Sequence, residues 1–280
     1  MINHVFRDML DAGVIAYMDD ILIYSETIEE DVSLVRQVME RLRKARLCVS
    51  IKKSSFHQRE VEFLGYRISD GGISMTSKKV EDIQVWNTPQ SVKDVQSFMG
   101  FANFYRRFKE GFSNIAIPLT DITKKNVKWN WTPACNAAFE YLKKRFTTSS
   151  ILTHFDETCL TKLETHASDF PLGAILSQFS DDDRWHPVAF HSRKFSDAEI
   201  NYNVYDKEMS AIVAAFKEWH HLFIAVKDEI TVYTDHRNLD YFNTTKVLNH
   251  RQHRWAEFLQ QFNFQVVYWE GRLNQKADAL

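Results

Sequence analysis

The sequence has few of the residues that form flexible linkers or covalent cross-links. It contains 8 glycines and 5 prolines in 280 residues, well below the average usage of either type, which argues against long flexible linkers. Its three cysteines, Cys48, Cys135 and Cys159, lie far apart, which argues against a disulfide framework or a zinc knuckle and suits a reducing compartment. No apolar run approaches the roughly 18 residues of a membrane span, and the N-terminus lacks the pattern of a signal peptide. We therefore expect a soluble intracellular protein of about two closely packed domains.

The chain also lacks an excess of charge of either sign. Its 35 Lys and Arg residues face 37 Asp and Glu residues, so the formal net charge is −2, and composition alone does not indicate a basic nucleic-acid binder. The charge is nevertheless uneven, at −7 over residues 1–31, +11 over 32–150 and −6 over 151–280. This alternation fits acidic metal sites beside a basic track for a polyanion. A solvated surface with uneven charge explains it equally well.

Two hairpins are predicted in the first quarter of the chain. The β-prone runs within Val14–Ser25 are interrupted by the paired acids Asp19 and Asp20, which predicts a hairpin with carboxylates at its tip. Residues 61–69 are also β-like, and the turn signal of residues 70–72 precedes a short returning strand over 73–75. Further helices are predicted to begin after Thr27, at Thr76, after Ser91 and after Thr132.

The second half of the chain has the pattern of a mixed α/β domain. Strands over 162–167, 172–179 and 186–192 follow one another at the spacing of an antiparallel meander. A long helix then carries Glu208 near its start, and a strand over 230–234 ends at Asp235. The order of strands and helices predicts a mixed sheet covered by helices.

Adjacent aspartates repel each other unless solvent or a cation separates them. The segment Tyr17-Met18-Asp19-Asp20 resembles the catalytic hairpin of reverse transcriptases, and Phe63-Leu64-Gly65-Tyr66 is similar to the primer-grip hairpin of that family. Residues 97–108 resemble a thumb-region signature of gypsy-type LTR retrotransposons. The resemblance implies that Asp19 and Asp20 bind Mg²⁺ or Mn²⁺. The nucleic-acid contacts that it implies are Tyr17, Met18, Phe63, Leu64, Gly65, Tyr66, Arg106 and Arg107. For the two adjacent arginines, a solvated helix end is the commoner explanation.

The second half resembles the ribonuclease H domain of the same polyproteins. The segments that carry this resemblance are Ala167-Ser168-Asp169, Gly173 to Gln178, Ser192-Arg193-Lys194, Lys207-Glu208, Tyr233 to His236 and Ala277 to Leu280. The family has four metal-binding carboxylates here, and the resemblance places three of them at Glu208, Asp235 and Asp278.

The remaining carboxylate position is occupied by a histidine. Where the family has Thr-Asp-Ala-Ser, this chain has Thr165-His166-Ala167-Ser168. Because Mg²⁺ prefers oxygen ligands, we expect cleavage at this site to be strongly impaired. Glu164 is a candidate substitute on the same strand face, whereas Asp169 is expected to point elsewhere. A surface histidine without a metal is a commoner role for His166 than that of a new metal ligand.

The resemblance covers the chain in order and implies its organisation. It implies an α/β and α+β multidomain fold with the C-terminal part of a reverse-transcriptase palm over 1–75, a helical thumb over 76–125, a connection over 126–155 and a C-terminally truncated ribonuclease H-like domain over 156–280. A third polymerase aspartate lies upstream of the hairpin in the family and has no counterpart here, so we expect DNA synthesis to be impaired, as we expect ribonuclease H cleavage to be because of His166.

The implied activities are RNA-directed DNA synthesis and two-metal cleavage of the RNA strand of RNA/DNA hybrids. The implied partners are such hybrids, template-primer nucleic acid and a complete Pol copy acting in trans, with no membrane. The implied location is intracellular, in the cytoplasm, in virus-like particles or in the nucleus. A non-catalytic nucleic-acid-binding or interaction module derived from a retroelement is the alternative function.

Overall fold

The computed structural model describes residues 2–148, 151–235 and 248–269. The chain divides into two compact units, Met1–Asp70 and Gly71–Leu280. The finer division at residues 75, 125 and 155 stays a prediction. Among the described residues, each helix is either too short or too polar to cross a lipid bilayer.

The first unit is a small α/β arrangement around one hairpin and one long helix. The elements are α1 (Ile2–Val5), β1 (Val14–Tyr17), β2 (Asp20–Ile23), α2 (Ile28–Lys44), a 3₁₀ turn (Ile51–Lys53), β3 (Glu60–Phe63) and β4 (Tyr66–Ser69). Helix α2 begins where predicted, because the Thr27 hydroxyl accepts a hydrogen bond from the Glu30 amide at 3.2 Å. Its apolar side contributes Val38 and Leu42 to a core with Phe6, Met9 and Val14.

The segment 61–69 is divided into two strands. The structure has a turn at Leu64 and Gly65, whose φ angles are 51° and 82°, so β3 and β4 pair with each other in antiparallel register from Glu60↔Ser69 to Phe63↔Tyr66. The alternating polar and apolar residues predicted strand geometry correctly. The β-like pattern alone did not indicate the turn, because a bulky residue such as Leu64 rarely adopts a positive φ. The turn agrees with the primer-grip hairpin that the family resemblance implied for residues 63–66.

The second unit begins with a helical region rich in buried aromatic side chains. Its elements are β5 (Gly72–Met75), α3 (Ser77–Gln84), α4 (Val92–Phe104), a 3₁₀ turn (Arg106–Phe108), α5 (Phe112–Ile115), α6 (Ile117–Asp121) and α7 (Pro133–Thr147). The predicted caps are confirmed, since Ser91 and Thr132 accept hydrogen bonds from the Asp94 and Cys135 amides. Phe98 and Phe139 are fully buried with ring centroids 4.7 Å apart. Half of the aromatic residues of this region are buried, and the rest are partly or fully exposed.

A five-stranded sheet forms the rest of the second unit. It contains β6 (Thr161–Ala167), β7 (Pro171–Ser180), β8 (Arg184–Lys194), β9 (Ile230–Thr234) and β10 (Phe264–Tyr268) in the order β10-β9-β6-β7-β8. The predicted antiparallel meander β6-β7-β8 is confirmed, and β9 pairs in parallel with both β6 and β10. The remaining elements are α8 (Asp197–Ile200), α9 (Val204–Glu218), α10 (His220–Phe223) and α11 (His250–Leu259).

Helix α9 covers one face of this sheet. Its apolar residues, among them Met209, Ile212 and Phe216, share a buried cluster with Leu163 of β6 and Val232 of β9. This cluster ties α9 to the two central parallel strands. The predicted mixed α/β architecture is confirmed.

Lys109 is a buried charged residue in the largely apolar interior of the helical region. It is 3% exposed, its ammonium nitrogen lies 5.5 Å from the centroid of the Phe146 ring, and burial together with nearby Arg145 lowers its pKa from 10.5 to about 8. Below pH 8 the lysine is charged in both the folded and the unfolded chain, so the whole cost of burying the charge is present there. The cost disappears as the pH rises toward 10.5, because the folded chain releases the proton first.

We expect Lys109→Met to raise the free energy of unfolding of the second unit by about 3 kcal/mol near neutral pH. All seven tryptophans lie in this unit, so urea unfolding followed by tryptophan fluorescence reports on it alone. The difference between variant and wild type should shrink between pH 8 and 10.5. Lys144→Met, at an exposed position of α7, is the control and should change stability by less than about 0.5 kcal/mol. If the difference in unfolding free energy between Lys109→Met and wild type stayed constant with pH, it would not arise from the charge of Lys109.

Candidate functional site

The first candidate site is the tip of the β1–β2 hairpin. Tyr17 and Asp20 are paired as the last residues of the ladder, and Met18 and Asp19 form the turn between them. Met18 has a φ of 50° and is 74% exposed, and both aspartates are also exposed. The turn thus presents two adjacent carboxylates to solvent. Oxygen ligands of this kind suit a hard divalent cation.

The β3–β4 turn carries the second group of predicted nucleic-acid contacts. Phe63 and Tyr66 are directly opposite each other, with Leu64 and Gly65 between them. All four residues are half-buried. Their predicted contact with a primer stays a prediction.

Parallel strand pairing creates the site in the second unit. The register of β6 with β9 runs from Lys162↔Thr231 to Glu164↔Tyr233, and two further steps along the ladder bring His166 beside Asp235. The His166 Nδ1 atom lies 3.5 Å from Asp235 Oδ2. The side chains are 17% and 26% exposed, so His166 is partly exposed and faces a carboxylate at the end of the sheet.

Helix α9 supplies the third member of this group. The Asn203 side chain caps the helix through the Asp206 amide at 2.7 Å, and Glu208, the fifth residue of the helix, is only 3% exposed. The Ala167 amide donates a hydrogen bond to Glu208 Oε1 at 3.0 Å. One ligand atom from each of His166, Glu208 and Asp235 lies within 4.8 Å of the others, so the chain brings together an imidazole and two carboxylates.

The other acids near the site have different surroundings. Glu164 is buried, and its carboxylate lies 3.2 Å from the Lys162 ammonium, so it belongs to an ion pair on its own strand. Asp169 is 91% exposed and lies 3.9 Å from the Lys207 ammonium. Neither is a member of the His166 group. Asp278, the remaining predicted ligand, lies outside the described residues.

The two adjacent arginines after α4 differ in their surroundings. Arg106 donates hydrogen bonds to Ser113 Oγ at 3.1 Å and to the Ser192 carbonyl, and burial lowers its pKa. Arg107 is exposed. Arg106 therefore connects the helical region to β8, and Arg107 is the better placed of the two to reach a phosphate.

Sequence reasoning missed a support for the first turn of α9. Asp206 is 1% exposed, and its carboxylate accepts hydrogen bonds from the Arg251 guanidinium and, at 2.8 Å, from Gln252 Nε2. Both partners belong to α11. The sequence showed Asp206 as an ordinary acid three residues after the cap Asn203, and nothing in its spacing indicated a partner 45 residues away.

Known proteins match both units. Residues 1–68 match the family described as reverse transcriptase (RNA-dependent DNA polymerase), and residues 156–262 match the RNase H-like domain found in reverse transcriptase. The Tf2-3 and Tf2-4 transposon polyproteins of Schizosaccharomyces pombe are each 39% identical to this chain over 281 residues. This chain belongs to the gypsy-type LTR retrotransposon Pol family.

The alignments cover the whole chain but only 21% of each Tf2 polyprotein, so the chain spans about a fifth of the length of these relatives. Among solved structures, a foamy viral protease-reverse transcriptase in complex with RNA/DNA hybrid has a TM-score of 0.77 and 25% identity, covering 96% of this chain and 37% of that one. The same enzyme in complex with dsDNA has the same TM-score and identity, with 96% of this chain and 56% of that one covered. The fold is that of a reverse transcriptase with a ribonuclease H-like domain. Both families generally use divalent metal ions.

We expect Arg251→Met to lower the free energy of unfolding of the second unit by about 3 kcal/mol, because it leaves the buried Asp206 carboxylate uncompensated. Urea unfolding followed by tryptophan fluorescence measures this loss. Asp206→Asn in the same variant should restore part of it, since the buried charge is then removed. Arg254→Met, on an exposed part of the same helix, is the matched control. If Arg251→Met and Arg254→Met lowered the free energy of unfolding equally, the charge of Asp206 would not be compensated by Arg251.

Proposed function

We propose that this chain is part of an RNA-directed DNA polymerase whose second unit binds RNA/DNA hybrids and hydrolyses their RNA strand weakly. The observation that carries the proposal is the group His166, Glu208 and Asp235, which a ribonuclease H-like domain assembles from a central strand, a helix and a parallel neighbouring strand. The foamy viral relative in complex with RNA/DNA hybrid supports the choice of substrate.

The donor set explains why hydrolysis is weak. Phosphoryl transfer assisted by two metal ions requires several carboxylates around ions about 4 Å apart, which activate the attacking oxygen and stabilise the leaving oxygen. Here one of the three described donors is an imidazole nitrogen. An imidazole adds no negative charge between the ions, and Mg²⁺ demands near-ideal oxygen coordination. The residues present therefore do not fit a pair of Mg²⁺ ions.

The polymerase unit has a donor set of the opposite kind. Asp19 and Asp20 offer oxygen ligands alone, and we assign them to Mg²⁺ or Mn²⁺ in DNA synthesis. Tyr17 and Met18 would then contact the nucleic acid at the same tip, and the turn of residues 63–66 would hold the primer. The proposed organisation is palm over 1–75, thumb over 76–125, connection over 126–155 and ribonuclease H over 156–280. A complete Pol copy in trans and a location in the cytoplasm, virus-like particles or nucleus belong to the same proposal.

A non-catalytic nucleic-acid-binding module is the second candidate function, and the imidazole at position 166 favours it. If the chain has this function, it should bind hybrids, and restoring a carboxylate through His166→Asp should not increase cleavage. The next experiment distinguishes the two functions.

We expect His166→Asp to raise Mg²⁺-dependent cleavage of an RNA/DNA hybrid by about 100-fold or more, because a correctly held ion contributes several kcal/mol of transition-state stabilisation. A labelled hybrid measures the initial rate for wild type and variant. Adding Glu208→Gln to the variant should abolish the gain, and His221→Asp, at an exposed position of α10, should leave the rate unchanged. Wild-type cleavage as fast as that of the variant would refute the argument from His166.

Hybrid binding should depend on salt, since cationic side chains release counterions from the phosphates. We expect Arg107→Ala to reduce the slope of log affinity against log salt by about one, as measured by fluorescence anisotropy. Arg106→Ala should instead lower the unfolding midpoint, because it removes the hydrogen bonds to Ser113 and Ser192. Binding that does not change with salt would contradict a basic track.

A further inference from the structure

The group of His166, Glu208 and Asp235 has the composition of a different kind of metal site. It offers one imidazole nitrogen and two carboxylate oxygens, all within 4.8 Å of one another. Imidazole suits borderline transition ions such as Zn²⁺ and Co²⁺, whereas Mg²⁺ takes oxygen ligands. Three protein ligands of the histidine and carboxylate type are sufficient for a zinc ion whose fourth coordination position is left to water or a substrate.

The spacing of the donors agrees with this composition. Zinc bonds to histidine and carboxylate are about 2.0–2.2 Å long, which places neighbouring ligand atoms of a tetrahedral site about 3.3 Å apart. The His166 Nδ1 and Asp235 Oδ2 atoms are 3.5 Å apart. This distance is longer than that of a usual N–H···O hydrogen bond. It is close to the distance between two ligand atoms of one zinc ion, and a small side-chain rotation would remove the difference.

The supports of the site are already in place. The backbone amide of Ala167 holds Glu208 Oε1 at 3.0 Å, and Arg251 and Gln252 hold the turn of α9 through Asp206. His166 lies on β6, and Asp235 directly follows β9, the parallel neighbour of β6. Hydrogen bonds that orient ligands in this way typically contribute a factor of 10–100 to metal affinity.

We propose that His166, Glu208 and Asp235 bind a single borderline transition-metal ion, with Zn²⁺ as the favoured ion, in preference to Mg²⁺. The competing explanation for the contact is an ion pair between a protonated His166 and Asp235 without any metal. The inference concerns metal binding and does not depend on whether the chain cleaves hybrids.

Co²⁺ serves as the spectroscopic probe on the full chain, because its visible absorption reports on coordination, and Zn²⁺ is the competitor. We expect one Co²⁺ absorption band that Zn²⁺ removes at one equivalent and that a roughly 100-fold excess of Mg²⁺ does not remove. His166→Ala and Glu208→Gln should each weaken Zn²⁺ binding by at least about tenfold. Glu208→Gln keeps an acceptor for the Ala167 amide, and His221→Ala should bind like the wild type.

His166→Asp separates loss of the ligand from loss of the fold, because it restores the residue type that the family has at this position. It should weaken Zn²⁺ binding relative to Mg²⁺ binding, and in the presence of Mg²⁺, which offsets the added negative charge, tryptophan fluorescence should show a cooperatively folded second unit. Zn²⁺ binding that His166→Ala leaves unaltered would overturn the proposal, and so would a folded wild-type chain that binds neither Co²⁺ nor Zn²⁺. The latter result would support the metal-free ion pair. Hybrid cleavage, measured separately, tests the proposed function by itself.

Discussion

The candidate site in the second unit depends on the parallel pairing of β6 with β9. Paired residues of these strands are 69 positions apart in the chain, and only the shared register places His166 beside Asp235. Parallel strands require a crossover connection, and helix α9 lies within it. The same connection that makes the pairing possible therefore also delivers Glu208 to the end of the strands.

The burial of α9 sets the position of Glu208. The helix is held against the sheet by a continuous apolar cluster that includes Leu163, Met209 and Val232. Such interiors are close-packed and allow little sliding. Because Glu208 is one residue before Met209 on the same helix, its carboxylate is held near the strand ends by the packing of its neighbour. Hydrogen bonds fix two acids near the start of α9. Asp206 accepts one from Arg251 of α11, and Glu208 accepts one from the Ala167 amide.

Much of the fold could be predicted from local patterns. The β1–β2 hairpin, the meander β6-β7-β8, and the helix starts at Thr27, Ser91 and Thr132 follow from alternation and capping, which act over a few residues. Local patterns did not indicate the turn at Leu64, which only the family resemblance implied, because a bulky residue rarely adopts a positive φ. Lys109 and the Asp206–Arg251 pair were missed for a different reason. Their partners are distant in sequence, and neither spacing nor residue type shows which polar groups become buried.

The candidate site shows the same limit at His166. Its place in the site could be predicted from the family resemblance, but its exposure could not, and a surface histidine was the commoner expectation. Backbone hydrogen bonds set the position of a residue in a ladder, and these do not depend on the side chain. A histidine in place of the aspartate of the family therefore keeps its place opposite Asp235, as the 3.5 Å contact indicates. What changes is the type of donor atom and the charge that it brings. The fold accordingly tolerates a substitution that alters which cation the site selects, because strand pairing and metal chemistry depend on different atoms of the same residue.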